Sequence, residues 1–598
     1  MTIAEVFWIN GPVLKARPAR GFAMKEAVTV GDAELAAEVI RLEADAVTVQ
    51  VYEDTTGMRP GAAVVGSGLP LALELGPGLL GRMFDGIQRP LDRMAELQGD
   101  FVRAGARIPG LDRERRWAFQ PRLDPGSEIM GGEVIGEVAE TPALPHRILL
   151  PPGLSGRLEW VADAGEFTVE QPIARVLTGN GKRQEISMLQ RWPVRRPRPF
   201  AGRLPGEQPL LTGQRVLDTF FPVPKGGVCA MPGGFGAGKT ILQQTIAKWC
   251  DADVIVYIGC GERGNEMAAV LREFPQLEDP RTGRRLLERT IIIANTSNMP
   301  VAARESSIYT GITMAEYYRD QGRHVALVAD SMSRWAEALR EISGRLEELP
   351  AEEGYPSYLP TRLAEFTERA GRVRTLAGEE GSLTVIGAIS PPGGDFSEPV
   401  TAHIRRFVKT MWALDTPRAQ ARFYPAIHPL DSYSEYAPRL APWWRERGGL
   451  RWEQWRDRML QLLQQQARLE RMIKIVGRDA LPPAERGLLL CADVLVEGFL
   501  RQSAFSEKDH YCVPEKQAAM LGLIDHLLDL VADRVEQGID PDSLLALPVM
   551  RRMKRMGDDI DNTDIAAFER LEEGLEEALR PEKIDPGKVD PEKIHVGP

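Results

Sequence analysis

Residues 226–262 read Gly226-Gly-Val-Cys-Ala-Met-Pro-Gly-Gly-Phe-Gly-Ala-Gly-Lys-Thr-Ile-Leu-Gln-Gln-Thr-Ile-Ala-Lys-Trp-Cys-Asp-Ala-Asp-Val-Ile-Val-Tyr-Ile-Gly-Cys-Gly-Glu262. A short apolar strand (Val228, Cys229, Ala230, Met231) leads into Gly233-Gly234-Phe235-Gly236-Ala237-Gly238-Lys239-Thr240. A helix follows, with Leu242, Thr245, Ile246 and Trp249 at helical spacing. The middle segment fits G-x-x-x-x-G-K-[ST] at every fixed position. Glycines let successive backbone N–H groups turn inward on an anion, and the helix N-terminus behind them adds partial positive charge. Lys239 is then placed for the β/γ-phosphates and the Thr240 hydroxyl for Mg²⁺. A glycine-rich turn that merely ends in Lys-Thr is the plainer reading. The order strand, loop, helix counts against it.

The flanking sequence extends this centre into a multidomain α/β chain. Residues 254–258, 291–294, 325–329 and 383–389 are short continuous apolar runs with helical patterns between them, as in a mostly parallel buried sheet. Residues 186–438 are therefore expected to form a RecA-like P-loop nucleotide-binding domain, with ligands at the carboxyl ends of its strands. Upstream, 1–75 alternate with a period of two between turn signals and predict an antiparallel β-barrel. Residues 76–110 read as a Pro- and Gly-punctuated linker joining the core, and 111–185 as an inserted β-rich domain. The Pro/Arg-rich connector 191–209 reads as an extended solvated linker, although its cluster of arginines could instead bind an anion. From 439 to 580, apolar residues recur at three- and four-residue steps, as in a helical domain. The Pro- and charge-rich repeat of 581–598 is expected to be a disordered tail.

Composition narrows the class. The 598 residues are 43% hydrophobic and 27% charged, which gives ample material for cores. A net charge of −11 disfavours a broad nucleic-acid-binding surface. The five cysteines fit neither a disulfide framework nor zinc spacing, and no apolar run reaches membrane-spanning length. The first ten residues lack a cationic region followed by an apolar core, so a secretory signal is not expected.

Two acids and an arginine stand out. Asp330 ends the run 325–329, where a magnesium-supporting carboxylate belongs in a nucleotide hydrolase; it could equally cap the next helix. Glu262 follows a strand beside the phosphate site and is a candidate to activate water, or a favourable acid in a helix's first turn. Arg263 could bridge phosphate or a neighbouring subunit, or pair with Glu266. Pro391-Pro-Gly-Gly-Asp-Phe could line the nucleotide site or an axial channel, or simply form a turn.

Longer strings add a resemblance. The loop with Phe235 inside it, Gly259-Cys-Gly-Glu-Arg-Gly-Asn-Glu-Met, Asp330-Ser-Met-Ser-Arg-Trp-Ala-Glu-Ala-Leu-Arg-Glu-Ile, Glu353-Gly-Tyr-Pro and Ser390-Pro-Pro-Gly-Gly-Asp-Phe-Ser-Glu-Pro-Val-Thr resemble the catalytic A subunit of V-type and archaeal-type rotary ATPases. The insertion 111–185 resembles the bulge domain that separates A subunits from the β subunits of F-type enzymes. The resemblance implies an ATP hydrolase or synthase, coupled to H⁺ or Na⁺ transport. It implies that this chain alternates with B subunits in a three-plus-three hexamer around a central rotor stalk, with peripheral stalks and a membrane-embedded ion-translocating sector. The complex would sit on the cytoplasmic face of the cell membrane, with no nucleic-acid partner. Mg²⁺ with ATP or ADP would be bound by Gly233 to Thr240 and Ile241, with Asp330 supporting the metal, Glu262 activating water and Arg263 stabilising the site. A further arginine would come from the B subunit. Adenine would lie between Phe505 and Tyr424, although Phe423 adjoins the latter and core packing is open to all three. Met332 stands where Thr is common. Ala237 replaces the cysteine of eukaryotic A subunits, so no disulfide switch transfers. The alternatives are a noncatalytic member of the ring and a hexameric nucleic-acid motor. The intact loop, Glu262 and Asp330 disfavour the first, and the acidic balance and the insertion disfavour the second.

Overall fold

The computed structural model describes residues 2–99 and 104–584. The tail expected over 581–598 therefore lies outside the described residues from 585 onward. The chain divides into two compact units. The first comprises Met1–Pro205, Lys225–Ala230 and Ala252–Val408; the second comprises Gly206–Pro224, Met231–Asp251 and Lys409–Pro598.

The first unit begins with a closed six-stranded barrel running from Ile3–Asn10 to Ala63–Pro70. Its strands are rich in Val and Ala, and every second side chain (Val28, Val30, Val47, Val49, Val51, Val64) fills the interior. Closure leaves no free strand edge. Ala72–Leu75 leaves the barrel and pairs antiparallel with Gln190–Pro193. Between these two strands the chain makes its long excursion. Most of it is two four-stranded sheets, spanning Trp117–Pro121 to Arg183–Ser187.

The segment 76–110 is more than a linker. Met83–Phe84 adds a parallel edge strand beside Thr290–Thr296, and Leu91–Gln98 is helical. The core sheet runs in the order Val228–Pro232, Glu380–Ile389, His324–Asp330, Val254–Glu262, Thr290–Thr296, Met83–Phe84. After Val254–Glu262 the chain moves outward to Thr290–Thr296, then returns to the other side of Val254–Glu262 to form His324–Asp330. The winding direction therefore reverses between these two strands, and the crevice at their carboxyl ends is where open α/β sheets bind ligands.

The helix Val301–Asp320 is buried over almost its whole length and ties the subdomains of this unit together. At its C-terminal end, Tyr317 and Tyr318 engage the insertion. The Tyr318 hydroxyl donates to Glu140, whose carboxylate also accepts from the backbone N–H groups of Gly78, Leu79 and Leu80. His146 bridges Glu140 (2.6 Å) and the Tyr317 hydroxyl (2.9 Å).

The connector expectation is corrected here. Arg195 is not solvated but bridges Glu38 of the barrel and Glu305 of this helix, and Arg198 is fully buried against Asp320 at 2.6 Å. Buried guanidinium groups are tolerable only when paired in this way. Their partners lie more than a hundred residues away in sequence, so local composition resembles that of a linker.

In the second unit, Lys239–Trp249 is a helix that buries Leu242, Gln243, Ile246 and Ala247. The expected face shifts accordingly: Trp249 instead stacks on His510, ring centroids 4.3 Å apart. Helices Trp452–Val476, Pro483–Leu495, Pro514–Glu536, Pro548–Asp559 and Ala566–Ala578 make up most of the remainder. Met459, Leu462, Leu463 and Leu469 form the buried stripe of the first of these.

Candidate active site

In the first unit, Glu262 is the last residue of its strand rather than a residue beyond it. Asp330 ends the neighbouring strand, in register with Gly259. The pairing with Thr290–Thr296 slips between Cys260 and Glu262, and Gly261 at this bulge has φ +69°. A bulge with a left-handed glycine re-aims the side chain that follows it. A Cβ at 261 would lie 2.8 Å from Arg304 Cδ and 2.9 Å from Arg334 Cβ, so any other residue there would force these side chains to move.

The electrostatics at these strand ends are crowded. Burial, the Asp330 charge and a hydrogen bond that Glu262 donates to the Glu266 carboxylate push its carboxyl up to about 8, against the pull of Arg334. Asp330 is buried, and the Tyr257 hydroxyl donates to its Oδ2 at 3.4 Å. Burial and the carboxylates hold that phenol well above its usual range, so it remains a donor. Asp330 does not cap the next helix. Ser331 does, its hydroxyl accepting from Arg334 N at 3.4 Å. Arg263 is exposed at the N-cap of Gly264–Glu273. Ser390 N donates to Ser333 Oγ at 2.9 Å, which draws the Pro391-Pro-Gly-Gly-Asp segment toward this strand end. Asp395 and Glu398 in that stretch accept from nearby backbone N–H groups, as in a turn followed by a helix cap.

In the second unit, the 233–238 loop closes as its sequence pattern requires. Gly236 (φ +76°) and Gly238 (φ +84°) are left-handed, with open space where a Cβ would project. Gly233 is confined, since a Cβ would lie 2.8 Å from Leu414 Cβ. The helix after Gly238 has no side-chain cap, so its first N–H groups are available to an anion. Lys239 Nζ donates to the Gly233 carbonyl at 2.7 Å, arching over the loop. These features fit a polyphosphate. Hydroxyl and carboxylate oxygens are the donor types Mg²⁺ takes; the second unit offers the first kind at Thr240, and the first unit offers the second at Asp330.

Beside the loop lies a cavity of about 710 Å³, lined by Gly236, Ala237, Ile241, Phe423, Tyr424 and Phe505 among others. Phe505 is 100% exposed, which removes core packing as its role. Tyr424 and Phe423 are both half-buried and both face the cavity. Tyr424 is pinned: its hydroxyl donates to Thr245 Oγ1 at 2.6 Å, and its carbonyl accepts from Gln502 N at 2.8 Å. Phe423 instead carries the Arg418 guanidinium, 4.9 Å from its ring centre.

Sequence reasoning missed the support beneath this cavity. Arg215 is fully buried and is held by Asp509 and the carbonyls of Phe499 and Arg501. Gln502 accepts from Arg215 N and donates to the carbonyls of Gly213 and Asp509. Nothing local distinguishes these residues from surface polar ones. Arg334, Tyr257 and Glu266 in the first unit are equally unmarked.

Comparison with known proteins agrees with this architecture. Residues 213–434 match the ATP synthase alpha/beta family nucleotide-binding domain, 6–68 its beta-barrel domain, 108–195 its barrel-sandwich domain, and 441–544 the C-terminal domain of V and A type ATP synthase. The chain is 53% identical to the A subunit of the A-type ATP synthase of Methanopyrus kandleri over 97% of each chain. It is 51% identical to that of Thermococcus onnurineus over 95% of this chain and 97% of the relative. It is 52% identical to the V-type ATP synthase alpha chain of Halothermothrix orenii over 96% and 97%. Among solved structures, the assembled ATPase EscN of the enteropathogenic E. coli type III secretion system superposes with a TM-score of 0.61. At 21% identity, over 88% of this chain and 100% of that one, this likeness speaks to the fold. With a phosphate loop, paired strand-end carboxylates and relatives at this identity over nearly its whole length, the chain belongs to the ATP synthase alpha/beta family and, within it, to the catalytic A subunits of the A- and V-type rotary ATP synthases.

Proposed function

We propose that this protein hydrolyses or synthesises Mg-ATP in a ring where it alternates three-plus-three with B subunits. The ring would be coupled through a central rotor and peripheral stalks to H⁺ or Na⁺ movement at the cytoplasmic face of a membrane. No described helix is itself long and apolar enough to cross a membrane, so the ion path is assigned to other subunits. Backbone N–H groups of Gly233, Gly234, Phe235, Gly236, Ala237 and Gly238 hold phosphate oxygens, Lys239 neutralises their charge, and Thr240 and Asp330 hold Mg²⁺. Bound Mg²⁺ offsets the negative charge that develops on the phosphates. Glu262 orients water and takes its proton. Arg263 stabilises the site, Ile241 packs beside the phosphates, and Tyr424 and Phe505 contact adenine.

The observation that carries this reading is the pair of carboxylates, Glu262 and Asp330, at adjacent strand ends where the sheet reverses its winding. The decisive experiment is turnover of the reconstituted complex carrying Glu262→Gln. The expected loss is about 10²–10⁴-fold with nucleotide binding retained. Turnover like that of the unmodified complex would sink the assignment. Because the trans arginine supplies about 10³–10⁵ in rate, the isolated chain is expected to be nearly inactive.

A further inference from the structure

The first unit holds a second cavity, of about 330 Å³, where barrel, connector and core meet. Its walls come from stretches far apart in sequence: Lys25 from the barrel, Arg195 and Arg203 from the connector, Tyr309 from the buried helix and Arg362 from Leu359–Thr367. Five cations (the four just named and Arg369) line it against three acids, Glu316, Glu365 and Glu368. Not all of that charge is available. Arg195 is neutralised by Glu38 and Glu305, and Arg369 by Glu316.

The remaining lining groups, Lys25, Arg203 and Arg362 against Glu365 and Glu368, leave a single positive charge in excess. Among the described residues, Arg203 donates only to the uncharged carbonyl oxygens of Glu368 and Ala370. Arg362 is shared with Glu365. Lys25 makes no ion pair among the described residues, and after burial itself the Arg195 and Arg362 charges do most to hold its ammonium below the usual lysine range. A cation repelled by its neighbours marks a place where an anion is favoured. The second observation is independent of charge. The Tyr309 hydroxyl is on a side chain only 3% exposed, and it has no hydrogen-bond partner among the described residues. A buried donor left unmade is costly, and such groups call for a missing partner. Burial pushes this phenol up to about 12, so it stays an O–H donor at any working pH.

We propose that this cavity is a second oxyanion site, taking a phosphate group through the Tyr309 hydroxyl with Lys25, Arg203 and Arg362 supplying the charge. Its volume accepts inorganic phosphate with water, or a small phosphate ester. Neither the loop nor the strand-end carboxylates contribute to it.

The test uses the full-length chain carrying Lys239→Ala, which weakens phosphate binding at the loop. It is titrated by calorimetry with inorganic phosphate and, separately, with glycerol 3-phosphate, at constant ionic strength. Saturable binding is expected, weakened at least tenfold by Tyr309→Phe and by Lys25→Gln. Tyr309→Phe without ligand should melt no lower than its parent, since it removes only an unpartnered hydroxyl. Tighter binding of the free ion assigns inorganic phosphate; tighter binding of the ester assigns the ester. Absence of saturable binding, or binding indifferent to both substitutions, overturns the proposal. Should the loop still bind phosphate without Lys239, two classes of site will appear, and only one will respond to Lys25→Gln.

Discussion

In the first unit, Glu262, Glu266 and Asp330 crowd the ends of two buried strands, and the carboxyl of Glu262 is driven up to about 8 by burial and by its neighbours. In the second unit, the phosphate loop presents no charged side chain before Lys239, and its tip is open: Phe235 is 78% exposed and Gly236 is exposed beside it. One region holds like charges together at a cost, as the metal and attacking water proposed there would require. The other holds backbone donors apart, where an anion needs them. Preorganisation lies in packing in the first and in dihedral angles in the second.

The largest expected effect tests the loop. Lys239→Ala should lower kcat/KM of the reconstituted complex by at least about 10³-fold, with an unchanged circular dichroism spectrum. Retained turnover would remove the loop from the chemistry. A pair of glycine substitutions sharpens the contrast between packing and dihedrals. Gly261 and Gly236 have similar φ values, +69° and +76°. Alanine at 261 meets Arg304 and Arg334, whereas alanine at 236 meets nothing within 4 Å. Gly261→Ala should cost about 3 kcal/mol, and Gly236→Ala only about 1 kcal/mol for the left-handed backbone, by denaturant titration. Equal costs would contradict the distinction.

The second unit also holds one crowded acid, Asp218. Burial pushes it up to about 7, although Thr212, Gly213 and Gln517 all donate to it. A carboxyl whose folded pKa is raised favours the folded state most below its unfolded value. That contribution fades as pH rises from about 4 to about 7. Asp218→Asn should therefore flatten the fall in melting temperature across that range, even if the variant is less stable at low pH. The smallest effect belongs to Tyr424→Phe. Loss of the bond to Thr245 should cost about 1 kcal/mol and change nucleotide KM by only a few-fold, because the ring face is kept.

The two regions also differ in how far the chain spells them out. The loop is contiguous, and backbone geometry at 233–240 follows from the residues present. The strand ends are legible as positions, since Asp330 terminates an apolar run and Glu262 lies shortly after one. Their environment is not, because Tyr257, Glu266 and Arg334 act through the fold. The connector misleads for the same reason: Arg195 and Arg198 look solvated until Glu38, Glu305 and Asp320 arrive from remote segments. Likewise Ala72–Leu75 and Gln190–Pro193 pair across more than a hundred residues, and neither marks the other locally. The helical stripe of Trp452–Val476 needs no partner to be read, because its period is internal.

The helix Val301–Asp320 has a mechanical consequence. At one end Tyr317 and Tyr318 hold Glu140 and His146 of the insertion; at the other, Arg304 lies against Gly261, next to Glu262. Twenty residues make a rod about 30 Å long. Being buried along its length, it has little freedom to bend. The inserted sheets and the bulge that precedes Glu262 are therefore fastened to opposite ends of one stiff strut.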